Sequence, residues 1–476
     1  VDPHAHKVLE QRFELARLFY NRILQETKLR LSRVKEDEAW IRAKKTLAAE
    51  YRGKVLTKQE KKDLNKQFSD VRTKHGFREY DLHAFGKEIR HTNCHLGSFE
   101  QIDANTAQKL ATRAFKACES VLTLKRGMPR FKSARQALGS VEGKSNASGL
   151  MFKSEDMTLR WSGLTLPMIY DEEDVYHRHA IQARTKYVRL LRTKFKGQWQ
   201  YRVQLVCEGL TLQKRPRRIA SGKMVGLDLG PSTIAAVSDE QALLTTFCTE
   251  LENVECDLRK LQRKADRQNR ANNPQNFDEQ GRIRRLSKGE KRTWNTSAAH
   301  RQTKVQIAEL HRRQAAQRKA LHGKLTNDLL ELGTVFKAEK LSIKAWQRRF
   351  GRSVAKRAPG MFLELLTRKA ERAGGEVQDI NAYQAKLSQR CSCGAVRKKK
   401  LSERVHECEC GRVTQRDLWS AYLALQTRGG VWCAADGEVF PVSPGVDTLL
   451  SSAHRRALQE AAMRGLRTRN FGSDRS

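Results

Sequence analysis

The sequence has no long hydrophobic run and no feature of a secreted protein. No stretch of about 18 apolar residues, the length that a transmembrane helix needs, occurs among its 476 residues, and the mean hydropathy is −0.69. A membrane protein is therefore excluded. The segment from Val1 to His6 is neither apolar nor followed by a small-residue cleavage pattern, so we expect no signal peptide.

Cysteine is also sparse. Ten cysteines in 476 residues are too few for a disulfide scaffold. Four of them cluster between positions 391 and 410, and the other six are scattered along the chain: Cys94, Cys118, Cys207, Cys248, Cys256 and Cys433. This distribution indicates a reducing compartment and one metal site.

Acidic residues are strongly outnumbered throughout the chain. Asp and Glu number 53 against 92 Lys and Arg, which gives a formal net charge of +39. A protein carrying this charge unneutralised would repel itself, so a polyanion such as nucleic acid is the expected partner. A basic enzyme or a ribosome-associated factor is the alternative. Hydrophobic residues make up 39%, enough for sizeable cores, and the length predicts two to four domains.

The hydrophobic period changes along the first half of the chain. Apolar residues recur at helical spacing over 6–46 and continue in this style over 56–124, which predicts a helical lobe. Alternating apolar and polar residues within 150–210 predict a small β domain with a turn at Lys196-Gly197. The basic run 214–218 is interpreted as a linker.

The second half is predicted to be mixed. Strands are expected at 224–230, 234–237, 334–339 and 377–380, and helices over 251–330, 356–373, 417–425 and 449–467. The first of these helical segments is interrupted by polar residues near 272–280, which predicts a hairpin. Between 259 and 324 it carries nineteen Lys and Arg against five Asp and Glu. That excess favours a polyanion clamp over an ordinary solvated face.

Three acidic residues lie beside predicted strands and helices. Asp228 stands in Val-Gly-Leu-Asp-Leu-Gly, Glu339 ends an apolar strand, and Asp417 begins a helix. Singly, each has an ordinary explanation as a turn residue, a solvated strand end, or a capping and helix-dipole residue. Together they can meet at one edge of a mixed sheet, where hard cations would relieve their repulsion. Two Mg²⁺ ions about 4 Å apart would then support phosphodiester cleavage.

Two knuckle-like cysteine pairs precede the third acid. Cys391-Ser-Cys393-Gly and Cys408-Glu-Cys410-Gly are separated by 14 residues. Four thiolates make a closed tetrahedral Zn²⁺ site, which is structural rather than catalytic. The spacing within each pair is C-x-C instead of the usual C-x-x-C, and four unligated thiols are the alternative.

In this order, the motifs resemble the RuvC-like nuclease domain of TnpB proteins and the compact type V CRISPR effectors derived from them. Val-Gly-Leu-Asp228-Leu-Gly is similar to the first motif, Ala-Glu339-Lys-Leu to the second, and Arg416-Asp417-Leu-Trp-Ser-Ala to the third. The cysteine pairs lie where that family carries a zinc ribbon. The basic segment from Leu310 to Thr326 and the element Gly127-Met-Pro-Arg-Phe-Lys132 also resemble family elements.

The resemblance implies a multidomain α+β protein with a split RNase H-like (RuvC) α/β domain, an inserted zinc ribbon, a β-rich wedge domain and an α-helical recognition lobe. The implied boundaries are 1–130 for the recognition lobe with part of the wedge, 131–221 for the wedge, 222–387 for the first nuclease part with the basic hairpin 251–330, 388–414 for the zinc ribbon, 415–425 for the last nuclease motif and 426–476 for a C-terminal tail.

The implied function is RNA-guided DNA cleavage in a single RuvC-like site. Mg²⁺, expected as two ions, would be bound by Asp228, Glu339 and Asp417, and structural Zn²⁺ by Cys391, Cys393, Cys408 and Cys410. Nucleic acid would be contacted by Arg130, Lys132, Arg318, Lys324 and Arg416. The partners would be a guide RNA and a double-stranded target DNA opened into an RNA–DNA heteroduplex, with base pairing supplying most specificity. A bacterial cytoplasmic, nucleoid-associated location is expected, with one or two copies on each guide.

Two departures and three other functions stay open. The knuckles are shortened to C-x-C, and Gln415 stands where the family often has an acid. One alternative is a guided DNA-binding protein with a vestigial nuclease site that silences or recruits partners. The others are a guide-independent, structure-selective nuclease such as a resolvase, and a recombinase or transposase, which shares the three acids. A resolvase needs no helical lobe of over 100 residues, so the length argues against it.

Overall fold

The computed structural model describes residues 2–50, 56–123, 126–134, 137–209, 212, 219–287, 289–400, 402–428, 439–440, 442–443 and 445–464. The expected linker at 214–218 and Cys433 lie outside these residues. The chain divides into two units, Val1–Lys214 and Arg215–Ser476. No helix in the described part combines the length and apolar character that a bilayer crossing requires.

The N-terminal unit begins with helices. They are α1 (Pro3–Glu36), α2 (Glu38–Glu50), α3 (Lys58–Lys74), α4 (Glu79–Arg90) and α5 (Ala104–Thr123), with a hairpin of β1 (Asn93–Cys94) and β2 (Gly97–Ser98) and a 3₁₀ turn at Phe99–Gln101 before α5. The continuous helix expected over 6–46 is in fact two helices. Asp37 is extended, and its carboxylate accepts a hydrogen bond from the backbone N–H of Ala39 at 2.9 Å, so it ends α1 and caps α2.

The rest of this unit is mainly β structure, as the alternating pattern predicted. It contains β3 (Ser140–Glu142), β4 (Leu150–Lys153), β5 (Thr158–Trp161), β6 (Leu164–Pro167), α6 (Val175–Gln182), β7 (Thr185–Phe195) and β8 (Gln198–Cys207). The strands form two antiparallel sheets with the orders β3-β7-β8 and β4-β5-β6. Lys196 and Gly197 make the predicted turn, both with positive φ, as a two-residue hairpin requires.

The C-terminal unit is built on one sheet. Its elements are β9 (Met224–Leu229), β10 (Thr233–Val237), β11 (Ala242–Thr246), α7 (Glu255–Asn272), a 3₁₀ turn at Pro274–Asn276, α8 (Ala298–Leu332), β12 (Val335–Glu339), α9 (Ile343–Arg357), α10 (Pro359–Arg372), β13 (Glu376–Ile380), α11 (Ala382–Ala385), β14 (Val405–Glu407), β15 (Val413–Gln415), α12 (Arg416–Leu425) and α13 (Val446–Met463). The sheet order is β11-β10-β9-β12-β13. Strand β10 is antiparallel to both of its neighbours, β9 and β11, whereas β12 and β13 run parallel to β9.

Helices cover both faces of this sheet. On β9, Val225, Leu227 and Leu229 are buried with side chains from α8 and α10. Side chains of β10 and β11 on the opposite face pack against α12 and α13. Because successive strand residues point to opposite faces, Asp228 points away from its two leucine neighbours, towards the face that α12 covers.

The predicted basic hairpin is observed as α7 and α8, with residues 273–297 between them. Several elements of this unit were not predicted. Strand β11 extends the antiparallel part of the sheet. Helix α9 lies between β12 and the helix that was expected at 356–373, in a segment for which no element was predicted. The expected later helix is α10, which begins at Pro359 in the first helical turn, a position that proline favours.

Candidate active site

Asp228 and Glu339 lie at neighbouring strand ends on one face of the sheet. Leu227 of β9 is paired with Ala338 of β12 in parallel register, so the next residues along the two strands are Asp228 and Glu339. Strand neighbours are about 4.8 Å apart. Both carboxylates are half-buried.

Helix α12 packs directly on β9 because Gly226 has no side chain. A Cβ at this position would lie 2.0 Å from the carbonyl oxygen of Ala421 and 2.4 Å from the backbone nitrogen of Leu425. Lys337 of β12 fastens the same end of the helix, since its buried ammonium donates to the carbonyl oxygens of Leu425, at 2.8 Å, and Thr427. The C-terminal end of α12 is thereby fixed on the sheet, and its N-terminal turn lies towards Asp228.

Asp417 occupies that first turn of α12. Its carboxylate accepts hydrogen bonds from Thr233 Oγ1 at 3.3 Å, from Arg404 at 3.4 Å and from Arg416 at 3.3 Å. The helix itself is capped by Gln415, whose side-chain oxygen accepts the backbone N–H of Leu418 at 2.7 Å. Asp417 therefore does not cap α12, although capping was one of the roles that the sequence left open for it.

The charges of Asp417 and Glu339 act on Asp228. Burial raises the pKa of Asp228 well above its usual range, and the nearby carboxylates of Asp417 and Glu339 raise it further, while Arg416 and Arg404 partly oppose this. Burial also raises the pKa of Glu339 to about 7, opposed by a backbone hydrogen bond from Leu387. The structure thus brings the three predicted acids together.

This carboxylate set fits a hard divalent cation. Oxygen ligands are those that Mg²⁺ takes in proteins, and a bound cation would offset the burial and the neighbouring carboxylates that raise the pKa of Asp228. In the described residues, however, the cysteine cluster is the group of three or more candidate ligands whose donor atoms all lie within 4.8 Å of one another. Shared cation binding by the three acids therefore requires their carboxylates to come closer together.

The four predicted cysteines converge at a second site. The Sγ atoms of Cys391 and Cys410 are 3.6 Å apart, those of Cys393 and Cys408 are 3.5 Å apart, and all four lie within 4.8 Å of one another. Tetrahedral Zn–S bonds of about 2.3 Å place sulfur atoms roughly 3.8 Å apart. The cluster can therefore hold a structural metal such as zinc.

The shortened C-x-C spacing is explained by two equivalent turns. In the first, Gly394 donates its N–H to the carbonyl of Cys391 at 3.2 Å, and in the second Gly411 donates to Cys408 at 3.0 Å. Both glycines have a φ of 87°, a conformation that favours glycine. Each turn presents two thiols on one side, so one intervening residue is sufficient.

The predicted nucleic-acid contacts have different surroundings. Arg130 and Lys324 are exposed, and Lys132 is half-buried with its backbone bonded to Asn21 of α1. Arg318 donates to the carbonyls of Ala355 and Lys356 at 2.9 and 3.1 Å. Arg416 is buried against Asp417 and donates to the Lys400 carbonyl at 3.0 Å. The structure therefore engages Arg318 and Arg416 within the protein.

Two functional neighbours of the acids were missed from the sequence. Arg404 lies between the knuckles and has no local pattern that marks it as a partner of Asp417. Lys337 did carry a signal, because it interrupts the apolar strand Val-Phe-Lys-Ala-Glu on the same face as Glu339. A charged side chain at such a position needs a buried partner.

Comparison with known proteins adds a family for part of this unit. Residues 360–423 match the family model described as Cas12f1-like, TNB domain. This segment is similar to the TNB domain of Cas12f1-like proteins. It runs from α10 through the knuckles into α12, contains all four cysteines and Asp417, and confirms the predicted resemblance to compact type V CRISPR effectors. No curated protein matches the chain.

Two solved structures match most of the chain at low sequence identity. A Cas12f1–sgRNA–target DNA complex matches with a TM-score of 0.45 and 10% identity, over 88% of this chain and 82% of that chain. A CRISPR-Cas12f ternary complex matches with a TM-score of 0.27 and 11% identity, over 88% of this chain and 84% of that chain.

Proposed function

We propose that this protein is an RNA-guided DNA endonuclease with one RNase H-like (RuvC) active site formed by Asp228, Glu339 and Asp417. The proposal is supported by the parallel pairing of β9 and β12, which places Asp228 next to Glu339, and by the carboxylates of Asp417 and Glu339, which both raise the pKa of buried Asp228. The Cas12f1-like TNB domain and the net charge of +39 support guide RNA and target DNA as the partners.

Contacts within the protein fix the three acids and place two arginines beside them. Asp228 and Glu339 are fixed by the paired strands, and Asp417 by the packing of α12 on Gly226. Arg404 and Arg416 hold Asp417 before a cation binds, and afterwards their guanidinium groups are placed to neutralise a phosphate. Bound Mg²⁺ would supply an activated water and stabilise the leaving oxygen.

Zinc has a structural role in this proposal. The four thiols would hold Zn²⁺ and fix both knuckle turns. Arg404 lies between the two knuckle turns, and β15 runs directly into α12, which carries Asp417. A metal ion that fixes the knuckles would therefore also fix the positions of Arg404 and Asp417. The implied domain boundaries, including the wedge at 131–221 and the ribbon at 388–414, belong to the same proposal.

The test begins with the RNA that copurifies with the protein. Sequencing this RNA identifies the guide, and a matched DNA duplex is then incubated with the loaded protein in Mg²⁺. We expect cleavage, its loss in Asp228→Ala, and unchanged guide-dependent DNA binding in that variant. Asp239→Ala is the matched control, because Asp239 is exposed in the turn at the opposite end of β10. Cleavage by Asp228→Ala would remove the acid from the mechanism.

One observation favours a second function, guided DNA binding that silences or recruits partners. Asp417 is engaged by two arginines, and this arrangement persists if no cation displaces them. This function predicts tight, guide-dependent binding of the matched duplex with no product in Mg²⁺ or Mn²⁺. Cleavage by the wild-type protein that depends on Asp228 would contradict it.

A further inference from the structure

The four cysteines of the metal cluster are not equally buried. Cys391 is buried, Cys393 and Cys408 are half-buried, and Cys410 is exposed. Reactive cysteines are those that dissolved reagents can reach, whereas buried structural cysteines are inert. Cys410 is therefore the thiol of this cluster that a small reagent meets first.

A cavity gives solvent a second route to the cluster. It has a volume of about 480 Å³, and its walls in the described residues include Cys393, Cys410, Val413, Phe440 and Asp447. A water molecule takes up about 30 Å³ in the liquid, and hydrogen peroxide has only one oxygen atom more. The cavity therefore admits a small peroxide to both knuckles.

The exposed thiol has a second thiol within reach. The Sγ atoms of Cys410 and Cys391 are 3.6 Å apart. A disulfide bond is about 2.05 Å long, so a movement of roughly 1.5 Å brings the two sulfur atoms to bonding distance. Cys256 is also exposed, but among the described residues no contact with another sulfur atom is seen for it. An oxidised Cys410 can therefore be captured as a disulfide by a neighbour that Cys256 lacks there.

Both knuckles contact helix α12 through Trp419. The indole N–H of Trp419 donates at 2.9 Å to the carbonyl of Arg390, the residue before Cys391. The guanidinium of Arg412, which follows the second knuckle turn, lies 4.7 Å from the centroid of the six-membered or five-membered indole ring system. Trp419 is fully buried and lies two residues after Asp417. The order of the knuckles is thereby coupled to the placement of the third acid.

We propose that Cys410 is a modification site for peroxides, and that its oxidation dismantles the metal cluster and loosens the placement of Asp417. The Cys410 thiolate attacks one oxygen of hydrogen peroxide, so that an S–O bond forms, the O–O bond breaks and hydroxide leaves. The Cys391 thiolate then attacks the Cys410 sulfur, which forms the S–S bond and expels a second hydroxide. Together the two thiolates lose two electrons, which reduce the peroxide.

The disulfide removes two of the four thiolates from the cluster. Cys393 and Cys408 are then the remaining thiolates, and two ligands do not make a closed tetrahedral site. A structural metal such as zinc is expected to be released, and both knuckle turns lose the ion that fixes them. The inference rests on the proposed function only for its effect on cleavage.

The test compares wild-type protein with two cysteine variants. Cys410→His keeps a side chain that binds zinc but lacks the exposed thiol, and Cys256→Ser removes an exposed thiol outside the cluster. Each zinc-loaded protein, with its copurifying RNA, receives hydrogen peroxide at a low molar ratio. Zinc release is followed with a chromogenic chelator, disulfides are mapped by mass spectrometry of unreduced peptides, and guided cleavage is measured alongside.

We expect wild-type protein and Cys256→Ser to release zinc at the same rate, with a first disulfide between Cys391 and Cys410 and with loss of cleavage. Cys410→His should release zinc on the order of tenfold more slowly. A thiol reductant with added Zn²⁺ should restore bound zinc and cleavage, because a disulfide is reversible whereas sulfinic acid is not. Equal release by Cys410→His and wild type would overturn the proposal, and so would a first modification at another cysteine or a failure to recover.

Two readouts keep the outcome decisive. If Cys410→His does not bind zinc, the disulfide map of the wild-type protein still shows which thiol reacts first. Zinc release and disulfide formation need no cleavage, so they test the site even in a protein that never cuts. Guided cleavage that survives formation of the disulfide between Cys391 and Cys410 would overturn the link to Asp417 and leave the endonuclease standing.

Discussion

Substituting Gly226 by alanine tests how the fold places Asp417. The added Cβ would lie 2.0 Å from the carbonyl oxygen of Ala421 and 2.4 Å from the nitrogen of Leu425. Both are backbone atoms, so no side chain can turn aside. Real Cβ contacts essentially never fall below 3.0 Å, and α12 must therefore retreat from β9 by about 1 Å.

That retreat has two measurable effects. Overpacking costs about 1–3 kcal/mol, which lowers the melting temperature of a unit of this size by roughly 2–12 °C. Because Asp228 and Asp417 are on the two separated elements, a displacement of about 1 Å is expected to slow cleavage on the order of 100-fold. Circular dichroism measures the melting temperature. Single-turnover cleavage of a guided duplex, assayed well below that temperature, measures the rate.

Gly323→Ala in α8 is the matched control. A Cβ there meets nothing within 4 Å, and replacing glycine in a helix stabilises by up to about 1 kcal/mol. The control should cut at the wild-type rate and melt no earlier. Wild-type cleavage and melting by Gly226→Ala would refute the reasoning, because α12 would then tolerate the displacement or Asp417 would not act with Asp228.

Three further predictions concern the same unit. Cys391→Ser should lose the bound zinc seen by native mass spectrometry and unfold the knuckles, since structural zinc is worth on the order of 10 kcal/mol; Cys256→Ser, at an exposed position, should not. Lys337→Met leaves the carbonyls that its ammonium binds at the end of α12 unpaired and should lower the free energy of unfolding by about 1–3 kcal/mol. Lys340→Met, at an exposed position, is the control, and an equal loss of stability in the two variants would contradict this prediction. In metal-free protein, Glu339 keeps its proton to about pH 7, whereas the unfolded chain releases it near 4.5. Stability from denaturant titrations should therefore fall as pH rises through this window, and a fall that persists undiminished in Glu339→Gln would assign it to other groups.

The sequence predicted the parts of the site that depend on local pattern. Alternation along β9 placed Asp228 opposite its leucine neighbours, and this is confirmed by the burial of Leu227 and Leu229 on the other face. The cysteine spacing predicted one cluster, which the structure also confirms. Both signals are short-range, because strand period and knuckle turns are set within a few residues.

What could not be predicted depends on contacts between distant segments. Arg404 and Asp417 pair across the knuckle turns, and no spacing rule relates them. Arg318 was expected to contact nucleic acid because its segment resembles a basic helical segment of the family, but the local sequence does not show that it donates to the last carbonyls of α9. Helix α9 itself was missed, since its polar residues and the irregular backbone at Phe350 interrupt the apolar period from which helices are recognised.

The most direct test of the central claim is to locate divalent cations in the protein. Crystals grown with Mn²⁺ would show any bound ions by their anomalous scattering. We expect an ion contacted by the carboxylates of Asp228 and Asp417, with Arg404 no longer paired to Asp417. We expect no such ion in Asp228→Ala. The proposed active site would be contradicted if no ion were found at Asp228, Glu339 and Asp417 at saturating Mn²⁺ and Asp417 were still paired with Arg404 and Arg416.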